Sequence, residues 1–102
     1  IDCSGFTQLV YKIHGIALPR DSFQQAEKGE TVELIKDSKP GDLVFFDNDR
    51  GQITHVGMIL DEGVVIHASG RVRTDIIDQK GILRKNEGIY THNLKLIKRI
   101  LI

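Results

Sequence analysis

Phe6, Leu9, Val10 and Ile13 are apolar at i, i+3, i+4 and i+7, one face of an amphipathic helix, and predict a helix from Cys3 to His14. Asp2 before it is a residue type that caps a first turn, and Gly15 after it is a type that stops a last one. Cys3 therefore falls in the first helical turn. Beyond Pro19, Ser22-Phe23-Gln24-Gln25 has the spacing of a capping box, which predicts a second, short helix ended by Gly29.

After the turn at Lys39-Pro40-Gly41-Asp42 the pattern changes to short apolar segments: Leu43 to Phe46, Ile53 to Leu60 and Val64 to Ala68. These read as three strands. Asp61-Glu62-Gly63 joins the last two as a hairpin loop, with glycine where a left-handed backbone is needed. Arg71 to Ile76 reads as a fourth strand. Leu94 to Leu101 reads as a fifth, with Leu94 and Leu96 alternating with Lys95. The stretch from Asp78 to His92 is too mixed in character for assignment. A helix followed by antiparallel strands predicts an α+β domain, the helix packed on one face of a sheet of about five strands.

Size and charge narrow the functions available. The chain has 102 residues, enough for one core, and its 40% hydrophobic and 27% charged content is that of a globular protein. Fourteen basic residues balance fourteen acidic ones, so no global field favours nucleic acid or an acidic membrane surface. No apolar run approaches the roughly 20 residues needed to cross a bilayer. A lone cysteine cannot form an internal disulfide and leaves the redox compartment open. The sequence begins at Ile1, without methionine or leader pattern, and reads as part of a longer protein.

A thiol attacks as its thiolate, and the unpaired N–H groups of a helix start favour negative charge. Cys3 thus suits a nucleophile, although a lone cysteine is also commonly a small buried hydrophobe. The hairpin adds the second part. If Leu60 pairs with Val64, Gly57 faces His67, and His55 lies two positions along on the same face of the sheet, within imidazole reach of His67. Gly57 between the histidines leaves room for the approach of a helix end. One cysteine with two histidines supplies nucleophile, base and orienting group. The same set could bind zinc, but no fourth ligand or short paired spacing accompanies it, so no metal or cofactor is expected. His14 and His92 read as solvated surface groups.

Asp2-Cys3-Ser4-Gly5-Phe6, Gly41-Asp42-Leu43-Val44-Phe45-Phe46, Thr54-His55-Val56-Gly57-Met58 and Val65-Ile66-His67-Ala68 resemble, in order, the signature blocks of the NlpC-type cell-wall cysteine peptidases. The resemblance spans about Ile1 to Arg73, with a loose counterpart to the family's last strand at Leu94 to Leu101. It implies a papain-like core that hydrolyses the γ-D-glutamyl bond to L-lysine or meso-diaminopimelate in bacterial cell-wall peptides. Under it Cys3 is the nucleophile, His55 the general base and His67 the group that orients His55. Asp2 would help to hold the free amino end of the substrate. Ser4, Ser22 and Arg20 would receive the D-glutamyl portion and its carboxylate, while capping is the competing role for Asp2 and Ser22.

The resemblance has one gap. Family members carry an aromatic-rich segment before the first block, and this chain lacks it. Relatives often bear SH3-like domains upstream, and family habit implies an extracytoplasmic site of action, periplasmic or secreted, with recycling of peptides in the cytoplasm as the alternative. Two other functions suit the same residues: a papain-like amidase or acyltransferase, and a cell-wall binding module without turnover.

Overall fold

The structure is a computed structural model that describes residues 1–100. Helix α1 spans Cys3–Ile13 and α2 spans Ser22–Gln25. The strands are β1 (Glu30–Val32), β2 (Leu43–Asp47), β3 (Ile53–Asp61), β4 (Val64–Ser69), β5 (Arg71–Ile77), β6 (Gly81–Arg84) and β7 (Ile89–Arg99). A single 3₁₀ turn, Ile35–Asp37, lies between β1 and β2.

Asp2 caps α1 as expected, Oδ1 accepting from the Gly5 N–H at 2.8 Å. At the other end the Ile16 N–H donates to the Tyr11 carbonyl and the Gly15 N–H to that of Lys12, the pairing of a Schellman stop. The cap of α2 is one residue earlier than the sequence spacing predicts. It is Asp21, whose N–H donates to Gln24 Oε1 at 3.3 Å.

The face that α1 buries differs from the expected one. Leu9 and Ile13 are exposed, whereas Ser4 and Thr7 are buried and Cys3, Val10 and Tyr11 pack on the core. Polar residues can point inward here because Gln25 of α2 satisfies them. Thr7 Oγ1 donates to Gln25 Oε1 at 2.7 Å, and Gln25 Nε2 donates to the carbonyls of Ser4 and Pro19.

All neighbouring strands are antiparallel, in the order β1-β7-β2-β3-β4-β5-β6, and β6 pairs again with β7. Six strands, β2 to β7, therefore close into a barrel, with β1 added at the outer edge of β7. The expected sheet of about five strands is corrected on three counts: it closes, β1 and β6 are additional, and β7 begins at Ile89 instead of Leu94. The end of that fifth expected strand, Leu101, lies outside the described residues. Closure uses bulges at Phe45/Phe46, Phe46/Asp47, Ile59/Asp61 and Ile82/Leu83, which break the strict alternation that sequence reading follows. Gly81 is obligatory at the β6 seam. Its φ is 146°, and a Cβ there would lie 1.8 Å from the His92 carbonyl oxygen.

Two apolar clusters share the strands. Val44, Phe46, Ile59, Val65, Ile77, Ile82 and Ile97 fill the barrel, and Leu43, Phe45, Val56 and Met58 meet Leu18, Ala26 and α1 on its outside. Burial of each large side chain contributes about 1.5–3 kcal/mol. Phe45 and Phe46, adjacent and fully buried on opposite faces, tie the clusters together.

Candidate active site

His55 lies on β3 opposite Phe46 of β2, and His67 lies on β4 opposite Gly57. The Gly57–His67 register is the one expected, but the hairpin closes differently. Asp61 instead of Leu60 pairs with Val64, Leu60 is bulged out, and the turn shortens to Glu62-Gly63. Because the bulge lies beyond Ile59, the histidines keep their common face. Gly57 is needed for this. A Cβ at that position would lie 2.8 Å from Val65 Cγ2 and 3.1 Å from His67 Cβ, so the close approach that Gly57 permits is that of β4.

The two rings meet. His55 Nε2 and His67 Nδ1 are 2.8 Å apart, and His67 Nε2 is 2.7 Å from Asp75 Oδ2 on β5. The chain of bonds sets the tautomers. The Asp75 carboxylate can only accept, so His67 Nε2 carries the proton and donates; His67 Nδ1 then accepts from His55 Nε2–H. His55 Nδ1 is left with a free lone pair, which makes it the basic atom of the relay.

Asp75 is held in turn by arginines. Arg73 Nη2 donates to Oδ1 at 3.1 Å, Arg73 Nε is 2.9 Å from Oδ2 as an ion pair, and Arg84 Nε lies 4.0 Å from Oδ1. The two Nε atoms are buried without a hydrogen bond of good geometry. Burial alone would raise the Asp75 pKa, but the bonds from His67 and Arg73 outweigh it and hold the carboxyl below its ordinary value. His67 titrates below the usual imidazole range, burial dominating over the pull of Asp75. His55 is pushed down to about 3, first by burial and then by His92 and His67. At neutral pH both imidazoles are uncharged, the state a base requires.

His92 is not the solvated surface group the sequence suggests. It is half-buried on β7, and its ring stacks on that of His55 with centroids 4.4 Å apart and planes 29° apart. Sequence reading missed Asp75 and His92 for different reasons. Asp75 lies on an expected strand, two residues after Arg73, but only the β4–β5 register reveals that it faces His67. His92 lies in the segment that bulges made illegible.

Cys3 stands in the first turn of α1, partly buried against the outer cluster to which Val56, next to His55, belongs. Helix α1 packs chiefly on β3 and β4, the strands that carry the two histidines. Among the described residues no hydrogen bond joins the Cys3 thiol to His55. Of the expected substrate residues, three are joined: Arg20 Nη2 pairs with Asp2 Oδ2 at 2.8 Å, and Arg20 Nη1 donates to Ser4 Oγ at 2.9 Å. Both carboxylate oxygens of Asp2 are thus engaged, and its pKa is lowered, first by the Arg20 bond and then by the Gly5 N–H. Ser22 is buried at the start of α2, outside this network. Among the described residues no group of three or more His, Cys, Asp or Glu side chains is arranged to hold a metal ion.

A helix-on-barrel domain with a cysteine in the first helical turn and a buried histidine relay across two strands is thereby defined. The NlpC/P60 family model matches residues 1–98, and the chain belongs to the NlpC/P60 family. A Bacillus subtilis protein named gamma-D-glutamyl-L-lysine dipeptidyl-peptidase is 37% identical over 100 residues, 96% of this chain and 32% of that protein. A crystal structure of an NlpC/P60 family protein from Bacillus cereus superposes with TM-score 0.77 at 36% identity, covering all of this chain and 32% of the other. RipD of Mycobacterium tuberculosis, described as a non-catalytic NlpC/p60 domain protein adapted to peptidoglycan binding, superposes with TM-score 0.75 at 25% identity, covering 99% of this chain and 67% of RipD. The chain spans about a third of the length of the B. subtilis relative. No helix among the described residues is long and apolar enough to cross a membrane.

Proposed function

We propose that this chain is the catalytic domain of a cysteine peptidase that hydrolyses the γ-D-glutamyl bond to L-lysine or meso-diaminopimelate in bacterial cell-wall peptides, outside the cytoplasm. The observation that carries the reading is the buried chain His55–His67–Asp75, which leaves His55 neutral with Nδ1 free, on strands against which the helix that begins with the lone cysteine packs. A core needing only to be filled would not bury two imidazoles and a carboxylate in sequence.

In this reading His55 Nδ1 takes the proton of the Cys3 thiol as sulfur attacks the γ-carbonyl carbon. The N–H groups of the first turn of α1 favour the negative charge that develops beside them. The imidazolium then gives its proton to the leaving amine and a thioester remains. Water, deprotonated by His55, hydrolyses it and restores the thiol. His67 and Asp75 stay in place throughout, fixing the tautomer. Asp2, Arg20 and Ser4 line the approach to Cys3, where Arg20 and Ser4 suit the free α-carboxylate of D-glutamate and Asp2 the substrate amine. Ser22 is the remaining contact proposed for the D-glutamyl portion.

The test is product analysis by mass spectrometry on L-Ala-γ-D-Glu-L-Lys and its ordinary α-linked isomer. The reading expects release of lysine from the γ-linked peptide and slow or no cleavage of the isomer, because a site built around a charged group rejects substrates that misplace it. Equal rates on both would remove the specificity claim. A second reading, a peptidoglycan-binding module, is favoured by the likeness to RipD and by the absence of a Cys3–His55 hydrogen bond among the described residues. Catalytic hydrogen bonds are often long before substrate arrives, which is why the peptidase stands first. Binding of muropeptide with no product would reverse the order.

A further inference from the structure

We propose that His92 is a positioning residue for the base: its stacked ring holds the His55 imidazole in the orientation that gives Nε2 to His67 and leaves Nδ1 for the thiol. The inference rests on the reading of His55 as the base and goes beyond it by assigning a role to a third histidine, from β7.

His55 has one hydrogen bond in its plane, to His67, and a single bond leaves a ring free to rock about it. The flat contact with His92 removes that freedom, since one face of His55 is covered at 4.4 Å by a nearly parallel ring. Phe46 of β2 braces both. Its centroid is 5.6 Å from His55 and 5.7 Å from His92, tilted to the first and edge-on to the second. His92 is itself fixed, with Nδ1 2.9 Å from Thr91 Oγ1. The backbone beneath it is pinned by the β6 seam, where Ile82 pairs with His92 and Gly81 packs against the His92 carbonyl.

An imidazole is a poor choice if the position only needs filling, because a half-buried polar ring against another polar ring has a desolvation cost that leucine or phenylalanine would avoid. It also adds a possible positive charge beside the base. The groups facing His55 are His67 from β4, His92 from β7 and the uncharged Phe46 from β2. Asp75 and Arg73 of β5 and Arg84 of β6 stand behind His67. Protonation of His92 opposes protonation of His55, which works in the same direction as burial to keep the base neutral.

The experiment is NMR of the imidazole ring signals across pH in the native protein, His92→Ala and His92→Phe, with kcat and KM on the γ-linked tripeptide measured beside it. In His92→Ala the His55 titration should move up toward the ordinary imidazole value of about 6.5, and the hydrogen-bonded His55 Nε2–H signal should weaken. Turnover should fall between about tenfold and a hundredfold with little change in KM, the signature of a misplaced reacting group. His92→Phe keeps a flat ring, so it should retain the N–H signal and most of the turnover. An alanine variant with the native titration and N–H signal overturns the proposal. So does a phenylalanine variant that loses as much as alanine, since the effect would then not belong to the stacked ring. If the native protein cleaves no γ-linked peptide while the ring signals respond as stated, the peptidase reading fails and the positioning of His55 by His92 stands.

Discussion

Two polar contacts of almost equal length mark the two halves of this site, and they are opposite in kind: a hydrogen bond from a neutral imidazole to a carboxylate, and an ion pair. His67 and Asp75 meet at 2.7 Å with side chains 0% and 8% exposed, while Arg20 and Asp2 meet at 2.8 Å with side chains 56% and 57% exposed. Distance does not decide what each is worth; the surrounding dielectric does. The buried pair has no water to replace a lost partner, so it is fixed by folding and can only hold. The exposed pair exchanges readily with water and can open for a substrate carboxylate or amine. The histidine side is thus built into the barrel, and the helix side is left adaptable, as the proposed peptide site requires.

The largest expected effect lies where the halves meet. Cys3→Ala should abolish hydrolysis of the γ-linked tripeptide, a loss on the order of 10⁴-fold or more, with the circular dichroism spectrum and melting temperature nearly native. Retained turnover in that variant would remove Cys3 from the mechanism. On the barrel side, Asp75→Ala should reduce both activity and stability. It strips His67 of its acceptor and leaves Arg73 and Arg84 without their counter-charge, which for a buried pair costs roughly 3–5 kcal/mol. Urea unfolding measures the stability loss, and kcat should fall with it because His67 can then take the wrong tautomer. If Asp75→Ala unfolds at the native urea concentration, the barrel end is no more rigid than the helix end.

Acid should affect the barrel end first. His55, His67 and His92 all have folded pKa values below the ordinary imidazole value, so the unfolded chain binds protons that the folded one refuses. Stability is then full above about pH 6.5 and declines as pH falls, continuing for His55 toward its folded value of about 3. Each histidine adds a slope of at most about 1.4 kcal/mol per pH unit. Asp75, with its folded pKa depressed, adds stability above about 3.9 and loses it only as pH falls through its own lower value, so the window from pH 6.5 to 4 belongs to the histidines. Urea midpoints at pH 7, 6 and 5 check this. A flat series would mean that the three rings are not buried in neutral form.

Much of the site was legible because its parts sit on strong local signals. Asp2 and Gly15 bracket α1 and put Cys3 in the first turn, and the short loop after β3 sets the register that brings His67 to Gly57. What failed depends on contacts between segments far apart in the chain. Ser4 and Thr7 face inward because Gln25 meets them, so of the apolar stripe Val10 reaches the core while Leu9 and Ile13 are left exposed. Closure of the barrel needs β6, four residues long, and a β7 that carries Thr91, His92 and Asn93 near its start, where alternation is broken by a bulge. His92 and the Asp75–His67 bond became visible only with that closure. The local pattern therefore identified the residues proposed as nucleophile and base, and the tertiary pairing identified what holds His55 and His67.

The smallest expected effect is at Arg20, and it is the sharpest check on the comparison. Arg20→Ala removes an exposed ion pair with Asp2 and a partly buried hydrogen bond to Ser4. Exposed pairs add little to stability, so the melting temperature should move by no more than about 1–2 °C. Binding should suffer more. If Arg20 meets the free carboxylate of D-glutamate, loss of that charged hydrogen bond should raise KM by roughly 10- to 100-fold while kcat changes little, because the relay at His55 is untouched. Arg20→Lys, which keeps the charge but not the paired donors, should fall between. Steady-state kinetics on the three proteins gives the split. A fall in kcat with KM unchanged would place Arg20 with the base and not with the substrate. A large drop in melting temperature would show that the Asp2–Arg20 pair is structural after all, and that the helix side is no more adaptable than the barrel.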